Sequence, residues 1–293
     1  MCKLKSAIIL KDRIFMPDYD SHSKMLDELK INDDYFNASK VFVRAELSPK
    51  NEDAFSDIDG WEFSVDQDIT PEWFDKKDCA ERMRNTVKEW AKTHIFIGQN
   101  DLKISHGKNI FIKDCKNVDI YGKAMVKYIC GNTTVENISD NATVESICGD
   151  ATVNSICGKA TVKYIYDNAT VKYICGDATV NSICDNATVE SICGDATVKS
   201  IRGNTTVKYI YDNATVENIC DNATVKYISD NVTVKYIYGN ATVENICDNA
   251  TVISSPYKRW SNSASLIIAG NATFKDCYSK TIYQAGGWKL VEV

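Results

Sequence analysis

Residues 131–166 read GNTTVENIS, DNATVESIC, GDATVNSIC, GKATVKYIY, four successive nine-residue units built to one pattern. The unit recurs through residues 122–256 as fifteen consecutive copies, from a degraded GKAMVKYIC at 122–130 to DNATVISSP ending at Pro256. The consensus is Gly/Asp, Asn/Asp, Ala, Thr, Val, two variable places, Ile, and one more variable place. Gly, Asp and Asn in the first two places are turn residues, because they tolerate positive φ and make local side-chain bonds. Ala and Val then fall on one face of an extended chain, with Thr between them on the other. Ile at the eighth place breaks that alternation, so the chain must bend between Val and Ile for both to face inward. One unit cannot cover such a face alone. Stacked units cover it for one another, and that predicts a solenoid.

Charge at the sixth place sets the size of a coil. If two repeats make a coil, residues 18 apart stack, giving the columns Lys127, Glu145, Lys163, Asn181, Lys199, Glu217, Lys235 and Glu136, Asn154, Lys172, Glu190, Lys208, Lys226, Glu244. Charged neighbours in these columns are opposite in seven cases and alike in one. With three repeats per coil, three pairs would be opposite and five alike. Stacked strands lie ~4.8 Å apart, where like charges repel and opposite ones help by a few tenths of a kcal/mol. The pattern therefore predicts a mainly-β chain whose parallel β-solenoid has two repeats, 18 residues, per coil.

Outward from the repeats, Lys108–Ile112 and Lys116–Ile120 read as earlier rungs, so the solenoid is expected over residues 101–256. Residues 257–293 read as a strand-rich cap, with strands near Ser265–Ile268, Gly270–Phe274, Lys280–Tyr283 and Trp288–Val291. Open solenoid ends expose unpaired edges, so a cap is expected. Residues 1–100 hold Trp61, Trp73 and Trp90 and no repeat, and read as a small α+β head. A strand pair is expected over Ala7–Met16, and a helix over Ser21–Ile31 capped by Ser21 or Ser23. Strands are expected over Lys40–Leu47 and Trp61–Val65. A second helix opens at Asp75 or Asp78 and carries Cys79, Met83, Val87, Trp90 and Ala91.

A formal net charge of −6 gives no drive toward nucleic acid or anionic lipid. No apolar run reaches the ~18 residues of a membrane span, and Ala7–Leu10 is too short for a signal segment. A cytosolic location follows as the expectation. Of twelve cysteines, eight share the ninth place of the repeat: Cys130, Cys148, Cys157, Cys175, Cys184, Cys193, Cys220 and Cys247. The same place elsewhere holds Ser139, Tyr166, Arg202, Tyr211, Ser229 and Tyr238, so no bridge plan exists and reduced thiols are expected. No Cys-x-x-Cys pair occurs, and neither metal nor cofactor is expected.

The stretches MCKLKSA (1–7), KDRIF (11–15), PDYDSH (17–22), FVRAELSP (42–49), VDQD (65–68) and VKEWA (87–91) resemble hypothetical proteins carried by phages and mobile elements of gut bacteria. The ending IYQ (282–284) with WKLV (288–291) is similar as well. The resemblance implies a source and an architecture, an α+β head before a nonapeptide-repeat solenoid, and no reaction.

Candidate chemistry lies in the head. Cys2, once Met1 is removed, would carry a free amine able to serve as its own base, the logic of N-terminal nucleophile hydrolases; a small apolar strand residue is the simpler reading. Asp18, Asp20 and His22 could form a carboxylate–imidazole site, or could mark a turn and a helix start. Arg44 and Glu46 alternate onto the polar side of their strand, as a pocket pair or as its wet face. On the solenoid, Asn-x-Thr ladders suit sheet surfaces, and Asp150, Lys159, Asp177 and Asp195 spoil an ice-matching array. Tyr128, Tyr164, Tyr173, Tyr209, Tyr227 and Tyr236 share the seventh place, each after Lys. Acidic residues outnumber basic ones across the repeats, so this aromatic surface suits a protein better than a nucleic acid. The expected function is a non-enzymatic protein-interaction or self-assembly protein of mobile-element origin, with a protein partner or a homo-oligomer. The alternatives are an enzyme in the head, and a phage inhibitor of a host defence protein.

Overall fold

A computed structural model describes residues 5–50, 53–255, 267–268, 270–277 and 281–284. Cys2, and the strand expected near Trp288–Val291, lie outside them. The chain forms two compact units, residues 1–96 and 97–293.

In the head, β1 (Lys5–Leu10), β2 (Ile14–Phe15), β3 (Phe42–Ser48) and β4 (Glu62–Val65) make one antiparallel sheet in the order β2-β1-β3-β4. Helix α1 (His22–Leu29) starts at Ser21, whose hydroxyl accepts from the Lys24 N–H. Helix α3 (Lys76–His94) starts at Asp75, whose carboxylate accepts from the Asp78 N–H. Both caps satisfy donors that a helix start leaves free. Alternation in β1 and β3 divides the core in two. Ala7, Ile9, Val43, Ala45 and Leu47 pack on Cys79, Met83 and Val87 of α3. Ile8, Leu10 and Phe42 pack on Met25 and Leu26 of α1. Both faces of the sheet are thus covered. Arg44 and Glu46, on the α1 side, are half-buried rather than wet. A short helix not foreseen from the sequence, α2 (Tyr35–Lys40), is capped by Asp34 and leads into β3.

The solenoid is a parallel β-solenoid of 18 residues per coil. Strands alternate between two sheets, so Thr134–Ile138 pairs with Thr152–Ile156 while Thr143–Ile147 pairs with Thr161–Ile165. Val144 stacks on Val162 and Val162 on Val180, while Val153 stacks on Val171 in the other sheet. A three-repeat coil would have set Val144 on Val171. The rungs expected near 108–120 are present as Ile110–Lys113 and Val118–Ile120, preceded by Lys103–Ile104. Beyond the repeats, Thr273–Asp276 continues the parallel ladder, and Thr281–Gln284 adds to it antiparallel.

Inside, Ala, Val and Ile of each complete repeat are fully buried, as at Ala178, Val180 and Ile183. A buried Val or Ile contributes roughly 1.5–3 kcal/mol over an exposed one, so this stack outweighs any surface ladder. Thr133 and Thr205 replace Ala, and each buried hydroxyl donates to the carbonyl three residues back, Cys130 and Arg202, at 2.6 Å. The charge columns form contacts as predicted. Glu145 lies 3.3 Å from Lys127 and 3.5 Å from Lys163, and Glu217 lies 3.4 Å from Lys235.

The first place of each repeat needs positive φ, +57° at Asp140 and +65° at Gly194. A Cβ on Gly194 would approach the Gly176 nitrogen to 2.8 Å, because the coils are that close at the corner. Asp nevertheless occupies this place in many copies. Its carboxylate reaches back and accepts the N–H of the same place one coil earlier, as Asp212 does from Gly194 and Asp140 from Gly122, each at 3.0 Å. The bond offsets part of the left-handed cost, about 1–2 kcal/mol. Gly194→Ala should therefore lower stability by about that amount, and Gly194→Asp by less, although Asp is larger. Urea unfolding ranks the two, and equal losses would remove the carboxylate's role. Glu145→Lys would put three like charges in one column. It should cost about 1 kcal/mol more than Glu145→Gln, with the difference shrinking in 1 M salt.

Candidate functional site

The segment from β2 to α1 carries Asp18, Asp20 and His22, and the fold sends them apart. Asp18 lies 3.4 Å from Nε2 of His94 at the end of α3. Asp20 accepts from the Ser6 N–H at 3.3 Å and lies 3.9 Å from the ammonium of Lys5. Lys5, only 4% exposed, also donates to the Pro17 carbonyl at 3.2 Å and sits 4.7 Å above the Trp90 ring, which stacks on His94. Burial lowers the pKa of Lys5, and the carboxylates of Asp20 and Asp18 oppose that shift. These contacts tie the 17–20 segment to β1 and α3, a structural use of both aspartates.

His22 turns the other way, toward the covered side of β3. Its Nε2 lies 3.2 Å from the Ala45 carbonyl and its Nδ1 lies 3.2 Å from Asp66 Oδ2. Glu46, from the middle of β3, completes a set in which one ligand atom from each of His22, Glu46 and Asp66 lies within 4.8 Å of the others. Asp66 follows β4, and its N–H is held by the Arg44 carbonyl at 2.9 Å. The next residue, Gln67, accepts from the Arg44 N–H at 2.8 Å and donates to the carbonyls of Phe42 and Ile69. The Asp66 backbone is therefore fixed by the edge of the sheet. The Arg44 guanidinium pairs with Asp33. A cavity of about 590 Å³ opens beside them, with Asp33, Asp34, Arg44, Asp66 and Asp68 in its wall. Chain separation hid this set from a reading of local spacing: His22, Glu46 and Asp66 come from three elements. Among the described residues it is the one group of three or more such side chains arranged to hold a metal ion.

The six seventh-place tyrosines divide between the two sheets. Tyr128 stacks on Phe111, with centroids 5.9 Å apart, and shares a sheet with Tyr164 and Tyr236. Tyr173, Tyr209 and Tyr227 follow one another in a column of the other sheet, interrupted only by Ser191. Tyr209 and Tyr227 stack at 5.4 Å, and Lys208 lies 5.0 Å over the Tyr209 ring. This is where the charge columns hold their one like pair, Lys208 and Lys226. The ring face gives Lys208 an attraction there.

Ninth-place residues line the corners. All described cysteines are free thiols. A hydrogen bond with Cys148, together with burial, raises the pKa of Cys130, and burial raises those of Cys175, Cys184 and Cys247. Hydrogen bonds with Cys193 and Cys220, aided by burial, push Tyr211 and Tyr238 up to about 12. No described helix is long and apolar enough to cross a membrane. No protein-family model, curated protein or solved structure matches the chain.

Raised thiol pKa values mean little thiolate at neutral pH, and the thiolate is the reactive form. Iodoacetamide at pH 7 should label Cys130, Cys175, Cys184 and Cys247 slowly in the folded chain. In denaturant without reductant it should label all eight repeat cysteines. Protection of neighbours such as Cys157 and Cys175 under those conditions would mean that a disulfide joins adjacent coils.

Proposed function

We propose that the protein is a non-enzymatic interaction protein whose solenoid is a rigid display surface for another protein. The observation that carries this reading is the column Tyr173, Tyr209, Tyr227 with Lys172, Lys208 and Lys226 beside it. Tyr173 and Tyr227 are 44% and 42% exposed on a sheet whose backbone is fixed by its own ladder. Exposed tyrosines on a rigid backbone offer large contact area with little entropy left to lose, which is why aromatic residues concentrate at the centres of protein interfaces. The adjoining lysines favour a partner with acidic groups around an apolar patch. Acidic residues dominate the rest of the repeat surface, which argues against nucleic acid as the partner. A second copy of the chain is the other protein that could fill this role.

Serine already occupies the same column at Ser155 and Ser191, so the triple substitution Tyr173→Ser, Tyr209→Ser, Tyr227→Ser preserves the fold. Light scattering of the purified chain measures self-association, and affinity purification from the source cell measures partner capture. The complex seen with the native chain should weaken at least tenfold in the variant, at an unchanged unfolding midpoint. Undiminished association by the variant would rule this surface out.

A further inference from the structure

The head contains a second feature, independent of the display reading. We propose that His22, Glu46 and Asp66 bind a divalent metal ion of the Mn²⁺ or Zn²⁺ kind, with the His22 ring held as a ligand by the backbone of β3.

The argument starts from the imidazole. Its side chain is 10% exposed, and each ring nitrogen has one neighbour, the Ala45 carbonyl at Nε2 and the Asp66 carboxylate at Nδ1. A carbonyl can only accept, so the ring proton sits on Nε2. Nδ1 faces a carboxylate oxygen of Asp66 3.2 Å away. A proton joins that nitrogen to Asp66 alone. The half-buried Glu46 carboxylate brings a third ligand atom within the same 4.8 Å, and a metal ion serves three such groups where a proton serves two. The Arg44 guanidinium is already paired with Asp33.

The surroundings match a metal ligand set. A histidine ligand commonly donates its other ring N–H to a backbone carbonyl, which fixes ring orientation and tautomer, and Ala45 does this here. Ligands bound at ~2.0–2.2 Å lie about 3–3.5 Å from each other. His22 and Asp66 already have that separation, and a Glu46 oxygen lies within 4.8 Å of both. One imidazole with two carboxylates suits Zn²⁺ or Mn²⁺ more than Ca²⁺, which prefers an all-oxygen cage. Asp66 also lines the 590 Å³ cavity, so coordination positions left by three protein ligands can open toward it.

The twelve cysteines would confuse a zinc titration, so Mn²⁺, a poor thiol binder, is the probe. Free Mn²⁺ gives a six-line electron paramagnetic resonance signal that fades on binding. Titration of the full chain with MnCl₂ should show one bound ion. Asp66→Asn and Glu46→Gln should each weaken it by about tenfold or more. Asp66 is exposed and Glu→Gln is isosteric, so both variants should fold. Asp18→Asn, which alters a carboxylate near His22 in sequence but turned toward His94, should leave binding unchanged. The proposal is overturned if the native chain leaves the free signal intact, if Asp66→Asn and Glu46→Gln bind as tightly as the native chain, or if Asp18→Asn weakens binding as much as they do.

Discussion

In the repeat region nearly every group takes its position from its counterpart 18 residues away. The Thr143 N–H donates to the Ala124 carbonyl and the Cys148 N–H to that of Ile129, each at 2.9 Å, and each following coil repeats the arrangement. Once the coils are in register, the other ladders follow from it. Val falls on Val and Ile on Ile, the Asn249 amide reaches Asn231 and the Asn231 amide reaches Asn213. Lysine also meets glutamate. Register is the costly requirement, because a shift by one residue would turn the inward row outward. The buried row enforces it, and the surface ladders refine it.

The corners set a limit on what the repeat can vary. Only the first place takes positive φ, and the sequence answers with two chemistries, Gly and Asp. Glycine removes the Cβ that would crowd the coil below. Aspartate keeps the Cβ and bonds to that coil instead. The ninth place, by contrast, accepts Cys, Ser, Tyr and Arg because its side chain lies at a half-covered corner. Its variability is a property of place.

How much was legible follows from how local each feature is. Coil size could be read because its trace on the surface, the sixth-place charges, is spaced by the repeat itself. In the head, the helix starts at Ser21 and Asp75 were readable for the same reason, since a cap and its first turn are neighbours in sequence. The helix at Tyr35–Lys40 was not, because one and a half turns show no period. Arg44 and Glu46 stood open between a pocket pair and a wet face because alternation tells which side a residue takes and not what covers that side. Asp18, Asp20 and His22 looked like one group because they are close in sequence. A helix beginning at His22 and a bend at Asp18–Tyr19 before it carry them to different neighbours, Glu46 and Asp66 in one direction and Lys5 and His94 in the other.

The in-register stack also makes the solenoid a ruler. Each pair of repeats adds one strand to each sheet, so any two side chains in a column are separated by a whole number of ~4.8 Å steps. Tyr209 and Tyr227 are one step apart, while Tyr173 and Tyr209 are two. Duplication or loss of eighteen codons would change the span of such a column by one graduation and leave the backbone pattern untouched. A partner's geometry could then be matched by adjusting copy number, with no need to redesign a core.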